Sequence, residues 1–241
     1  MNKLLLLPLT TVLLASCSGG TTTPPTNTTP PTIVTPPITA PKAVTSLSGK
    51  VTENGSAWAG GEGTVTLSAP KGYLSTTTLK ADGTFSFATL PTPTANDLIL
   101  YTSLKETSDN CTEKESLSDT SLRVTIVNFF LEAQSSGLIR LFASDSEAKT
   151  NVEGVLFYAD RDSKITNTQT CIFNSQTFVN TLDIQLVKGW NQLVNIVPQD
   201  MTTPTVNTTV QNGTVTNGKW VYEPNATSKS LKSLSDTHLL R

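Results

Sequence analysis

The sequence is poor in charge, in aromatic residues and above all in histidine. Charged side chains make up 15% and aromatics 6% of 241 residues, and His238 is the only histidine. With one imidazole near the end of the chain, the usual general base of Ser-His-Asp or Cys-His catalysis is missing. The chain also lacks a Gly-x-Ser-x-Gly elbow, a phosphate-cradling glycine loop and a His-Glu-x-x-His pair. No cofactor is therefore expected. Lys and Arg total 17 against 19 Asp and Glu, scattered without a cluster, which leaves no basic footprint for nucleic acid. No Cys-x-x-Cys or cysteine beside histidine offers a metal site, so no metal is expected either. The longest apolar stretch, Leu4 to Leu14, is interrupted by Pro8, Thr10 and Thr11. It falls short of the roughly 20 residues that a spanning helix needs.

What that stretch does fit is the core of an export signal. It follows Lys3 and leads into Leu14-Ala15-Ser16-Cys17, then the polar Ser18-Gly19-Gly20. The four residues ending at Cys17 resemble the lipobox of bacterial lipoproteins. The resemblance implies removal of residues 1–16 as a signal peptide, a diacylglyceryl thioether on Cys17 and, in most members, an acylated amine (palmitate among the acyl chains). Two or three chains, each burying methylenes at about 0.8 kcal/mol apiece, suffice for stable anchoring. The membrane, reached through the lipid on Cys17, is thus an expected partner. Ser18 rather than Asp after the cysteine implies, by the same resemblance, the outer membrane of a host with two.

Residues 17–43 then read as a lipidated cysteine and a stalk. From Thr21 to Pro41 nearly every residue is Thr or Pro, and no charge occurs between Lys3 and Lys42. Such a segment has too few bulky apolar groups for a core, and proline holds it extended. In the polyproline conformation about twenty residues reach on the order of 60 Å. A spacer and a linker of no specific length are both consistent with this composition.

Turn chemistry and period-two alternation begin near Val44, and residues 44–224 read as one β region with a subdivision near 104–121. Expected strands include Ser48–Thr52, Thr64–Ser68, Tyr73–Lys80, Thr84–Thr89 and Leu98–Tyr101. Ala81-Asp82-Gly83 between two of them is a hairpin signal. Later strands are expected at Leu122–Glu132, Leu138–Ser144, Glu153–Asp160, Phe178–Val187, Gln192–Val197, Val206–Val210 and Lys219–Tyr222. In Glu153–Asp160, Val155, Phe157 and Ala159 share one face and Leu156 and Tyr158 the other. Lys188-Gly189 reads as a second hairpin turn. The expected architecture is all-β: an antiparallel β-sandwich, or two small sandwiches packed together. Residues 225–241 read as a polar tail.

The order Ser48-Gly49-x-Val51, Thr64-Val65-x-Leu67, Ala81-Asp82-Gly83-Thr84-Phe85-x-Phe87 and Leu90-Pro91 resembles the prealbumin-like sandwiches, including carboxypeptidase regulatory-like domains. It covers about sixty residues and lacks that family's closing Gly-x-Tyr strand. It implies a structural or binding module. The run Leu186-x-Lys188-Gly189-Trp190-Asn191 resembles a segment of uncharacterised secreted bacterial lipoproteins and implies no activity.

With Cys17 lipidated, Cys111 and Cys171 remain. In an exported domain two leftover cysteines suggest a disulfide, with a free thiol pair or a metal site as alternatives. Trp58, in a glycine-rich loop, is the candidate for an exposed, ligand-facing aromatic, whereas Trp190 and Trp220 fit the core. Asp160-Arg161-Asp162-Ser163-Lys164 reads as a charged hairpin turn. Carboxylate-only hydrolysis would require convergence among Asp109, Asp119, Asp160, Asp162 and Asp183. The function expected is a non-enzymatic, lipid-anchored envelope protein that binds a partner or supports surface structure. The alternative is a carbohydrate- or peptidoglycan-binding module, discriminated by an exposed aromatic cluster, and a carboxylate-dependent hydrolase stands third.

Overall fold

The structure, a computed structural model, describes residues 41–104 and 109–224. The signal peptide 1–16, Cys17, most of the stalk and the tail 225–241 lie outside the described residues. Fifteen strands follow one another: β1 (Leu47–Glu53), β2 (Ser56–Ala57), β3 (Gly63–Ala69), β4 (Gly72–Leu79), β5 (Thr84–Phe87), β6 (Ile99–Leu100), β7 (Cys111–Leu117), β8 (Arg123–Glu132), β9 (Ser136–Asp145), β10 (Thr150–Ala159), β11 (Ser163–Phe173), β12 (Gln176–Leu186), β13 (Gly189–Pro198), β14 (Thr205–Asn212) and β15 (Lys219–Pro224). The only helical element among the described residues is one 3-10 turn, Tyr101–Leu104. None of their helices is long and apolar enough to cross a membrane. The fold is all-β and sandwich-like, as the composition implies.

Two pairings make the sheet mixed rather than purely antiparallel. β1 lies parallel to β15, with Val51 opposite Trp220, and β12 lies parallel to β14, with Leu182 opposite Val210. The first closes a ring: hydrogen-bonded neighbours run β8–β3–β4–β5–β1–β15–β9 and back to β8. Closure leaves the ring without free edges except where β4 meets β5 by a single pair, Leu79 with Phe85. Every strand of the ring sends residues inward, among them Val51, Leu67, Leu79, Phe85, Leu131, Ile139 and Trp220. Trp220 meets Phe85 and Phe129 edge-on, with centroids 5.2 and 4.8 Å apart. These T-shaped contacts add about 0.5–1.5 kcal/mol each beyond burial.

β8 and β10 are walls shared by two cores. Val127, Phe129 and Leu131 of β8 and Leu156 and Tyr158 of β10 face the ring interior. On the alternate positions, Val124 and Ile126, and Val155, Phe157 and Ala159, face a second core. β11–β14 complete that core with Ile165, Leu182, Ile184, Leu186, Val210 and Leu193. The alternation read in Glu153–Asp160 has its physical origin here, since a strand between two cores needs apolar residues at both phases. The described residues fall in one compact unit.

Local signals hold where the partner strand is also local. Asn54 and Gly55 (φ 49° and 79°) make the left-handed turn between β1 and β2. Gly83 (φ 83°) ends the Ala81-Asp82-Gly83 turn, and an added Cβ there would stand 2.7 Å from the Cβ of Trp58. Leu98–Tyr101 is shorter than expected, with only Ile99–Leu100 paired before the 3-10 turn. Lys188-Gly189 is not a hairpin: β12 pairs with β11 and β14, and β13 with β10 and β14. The chain crosses there from one strand set to another. Asp160–Lys164 is likewise a crossing, because β10 and β11 do not pair with each other.

Candidate functional site

Trp58 is not a platform. It is 5% exposed, its Nε1 donates to the Gly61 carbonyl at 2.8 Å, and its ring meets Tyr222 edge-on at 5.2 Å. The glycines taken as a sign of an exposed loop form a collar around the indole: a Cβ on Gly60 would lie 2.2 Å from Cζ2. Trp190 and Trp220 are buried as well, and Trp190 Nε1 donates to the Pro91 carbonyl at 2.7 Å. The large hydrophobics exposed among the described residues are Tyr73, Leu100, Ile172 and Phe173.

Cys111 and Cys171 stand at disulfide distance, with S–S 2.07 Å and Cα–Cα 4.0 Å. They oppose one another at the end of the β7–β11 ladder.

Of the acids considered for hydrolysis, Asp119, Asp160 and Asp162 are each engaged by Arg161 or a backbone amide. Asp119 and Asp160 are both held by Arg161, at 3.3 and 2.9 Å. Hydrogen bonds from Ser121 hold the Asp119 carboxyl below the usual carboxylate range, helped by Arg161. Partial burial works to raise Asp160, but Arg161 and the Arg123 amide outweigh it and lower the group. Asp162 accepts the Lys188 amide at 2.7 Å. Asp183 sits on an outer face, 3.9 Å from Lys164, with both side chains largely exposed. Among the described residues no group of three or more His, Cys, Asp or Glu is placed to hold a metal ion. These acids serve as turn caps and clips.

Glu153 differs from them. Burial pushes its carboxyl above the usual range, and Arg140, at 3.2 Å, opposes that shift. Arg140 also reaches Glu223 at 3.1 Å. Glu153 lies directly across from Asn195, whose Oδ1 is buried and has no partner among the described residues. On the same face a polar row continues through Thr208, Asn180 and Gln169, all buried. Asn180 joins its neighbours, donating to Gln169 Oε1 at 3.3 Å and accepting from Thr208 Oγ1. The row sits at the polar end of the second core. Thr208, Asn180 and Gln169 are spent on one another, so this part of the row reads as framework.

Two open concavities flank the loop between β14 and β15. One, of about 450 Å³, is lined by Pro41–Ser46 with Asn191, Gln192 and Asn212. Two of its amides are committed: Asn191 accepts the Val187 amide and donates to the Val187 and Gly189 carbonyls, while Asn212 pairs with both backbone groups of Gln185. The other, of about 650 Å³, is lined by half-buried Phe142 and Val221 from one face of the sheet and by half-buried Ala143 and Val152 from the other, with Val215 of the loop beside them. Its rim carries Asp145, Glu147, Asn217 and Lys219. Asp145, Glu147 and Lys219 are all exposed and supply the rim's charge, and Asp145 Oδ1 also accepts the Glu147 and Ala148 amides. Apolar lining with a charged rim fits a binding cleft, and the volume falls within the range of about 300–1,000 Å³ that such clefts occupy. This groove is the candidate site. It had no short-range signal, because it assembles from β9, β10, β15 and the Gly213–Gly218 loop.

In comparisons with known proteins, no family model, curated protein or solved structure matched this chain.

Proposed function

We propose that the chain is an exported lipoprotein, held in the cell envelope by a lipid on Cys17, whose β-domain is a non-enzymatic binding module. The groove lined by Phe142, Val152 and Val221 is the observation that supports binding. The lipobox-like Leu14-Ala15-Ser16-Cys17 supports the anchor, and the Thr/Pro segment supports a stalk that keeps the domain clear of the bilayer. A protein partner fits better than a polysaccharide, because a flat aromatic platform for sugar needs a cluster of exposed Trp or Tyr, whereas all three indoles are buried and Tyr73 is the one exposed Tyr among the described residues. Three of the acids considered for hydrolysis, Asp119, Asp160 and Asp162, are engaged by Arg161 or by a backbone amide, which favours binding over catalysis.

Labelled fatty acid should enter the wild-type chain and not the Cys17→Ala variant, which should fractionate as soluble or uncleaved protein. Equal incorporation into both would remove the anchor. For the groove, Thr216→Arg, at an exposed lining position, should abolish partner capture while the unfolding midpoint stays unchanged.

A further inference from the structure

Phe130 and Leu138 are buried at a place where neither core reaches. They face each other across β8 and β9, and the register extends their row to Thr66 of β3 on one side and Glu223 of β15 on the other. Cross-strand partners share a face of the sheet, and the alternate residues Leu67, Phe129, Leu131 and Ile139 fill the ring. The row therefore lies on the ring's outer surface. There, flanking side chains shield the sides of a Phe or Leu but leave its top open. Yet Phe130 is 8% and Leu138 6% exposed, with Thr66 and Ser68 beside them at 9% and 2%. Ile126, four residues back on the same face of β8, belongs to the second core, whereas Phe130 and Leu138 belong to neither. Burial this complete requires a further layer in contact with them.

The course of the chain selects that layer. Residues 105–108, Lys-Glu-Thr-Ser, have no apolar side chain to offer. The N-terminal part enters through Val44, which bridges Trp190, and Trp190 lies opposite Tyr158, itself opposite Thr125 of β8. Thr125 is five residues from Phe130, or roughly 17 Å along the strand. The C-terminal part starts at the face itself, because Glu223 lies across from Leu138 and Pro224 across from Gly137. With strands about 4.8 Å apart, Phe130 is only about 10 Å from Glu223. The next large apolar residues are Leu231 and Leu234, and the seven residues from Pro224 to Leu231 span up to about 24 Å. Charge agrees with this choice. On β8, β9, β10 and β15 this face carries Glu132, Glu153 and Glu223 against Arg140 and Lys219, while Lys229, Lys232 and Arg241 outnumber Asp236 in residues 225–241.

We propose that residues 225–241 strap back across the outer face of β3, β8 and β9, seating Leu231 and Leu234 on Phe130 and Leu138. The inference rests on neither the anchor nor the groove. The test uses the full chain in cells, with p-benzoylphenylalanine at position 231. Irradiation should give an adduct of single-chain mass that joins position 231 to residues 64–68 or 128–140. Leu234→Asp in the same chain should cut the yield about tenfold, the order expected when one buried leucine is lost from a docked segment. That change lies outside both cores, so the domain keeps its fold and the yield reports docking alone. An adduct to any other part of the chain, to a second chain or to lipid, no adduct, or a yield unmoved by Leu234→Asp would each overturn the proposal.

Discussion

Cys171 faces Cys111 directly across the β7–β11 ladder, at the last pair before the chain turns into the β11–β12 tip. β7 pairs with no named strand except β11, and Glu113, Lys114 and Glu115 occupy its middle. A short charged edge strand is weakly held by its own packing. The bond therefore fastens β7 to the sheet and closes a loop of 60 residues.

Replacing both cysteines by serine should destabilise the domain by about 2–4 kcal/mol, in the range for a loop of this length. Denaturant unfolding measures the loss. Hydrogen exchange should locate it, with β7 amides exchanging faster while β8 and β10 amides keep their protection. Uniformly faster exchange across both cores would contradict a local fastening role.

Trp58→Ala should cost about 3–5 kcal/mol, the usual range for truncating a buried indole. The ring fills the space between Gly60, Gly83 and Tyr222, and its Nε1 bond to Gly61 is lost as well. Gly83→Ala should act on the same contact from the other side, through both the positive φ and the approach to Trp58. A Trp58→Ala variant as stable as wild type would restore the exposed-platform reading.

Acid should act through two opposed sets of carboxylates. Asp119 and Asp160 have lowered folded values, so the stability they contribute is present above the ordinary Asp range and is lost as pH falls through their folded values. Glu153 has the opposite sign. Its folded value is raised by burial, so its contribution is greatest at low pH and disappears as pH rises through that value. Arg161→Met should flatten the acid side of the stability profile, below about pH 4. Glu153→Gln should leave that side in place and raise stability at neutral pH relative to mildly acidic pH. Midpoints measured from pH 3 to 8 separate the two.

What was legible in the sequence follows from where burial is two-sided or the turn is local. β8, β10 and β13 stand out because their apolar residues are needed by two cores at once. β11 escaped notice because one face reads Ser163, Ile165, Asn167, Gln169, Cys171 and the other is mostly threonine. It is a strand by partnership with β12, not by hydrophobic alternation. β7 was hidden by its charges. Ring closure had no local mark, because Thr52 Oγ1 donates to the Trp220 carbonyl across 168 positions. The groove shares this origin, as its lining comes from residues 142 to 221. Trp58 was misplaced for a narrower reason. Glycines free a loop from side chains, but they also let backbone pass close to a large ring, and here the second use applies.

Asn191 carries the last prediction, because it explains how Lys188-Gly189 can cross between strand sets without leaving buried polar backbone unpaired. Its side chain is 1% exposed. Oδ1 accepts the Val187 amide at 3.0 Å, and Nδ2 donates to the Val187 and Gly189 carbonyls at 2.8 and 2.9 Å. Gly189, at φ 110°, supplies the backbone conformation that a hairpin would also have required, which is why the two readings look alike in sequence. The difference lies in Asn191, since an ordinary two-residue hairpin satisfies these groups across its own ladder. An Asn191→Ala change strands one donor and two acceptors, each costing about 1–3 kcal/mol if buried and unsatisfied. Allowing for water entering the vacated space, the expected loss is about 2–4 kcal/mol, measured by denaturant unfolding. Asn191→Asp separates the two kinds of bond, because it keeps the acceptor for Val187 N and removes both donors to the carbonyls. It should be at least as damaging at neutral pH, where a buried carboxylate would face the Val187 and Gly189 carbonyl oxygens. It should recover partly at low pH, where the protonated acid donates again. A stable Asn191→Ala variant with unchanged exchange at Val187 and Gly189 would mean that the crossing is held by strand pairing alone.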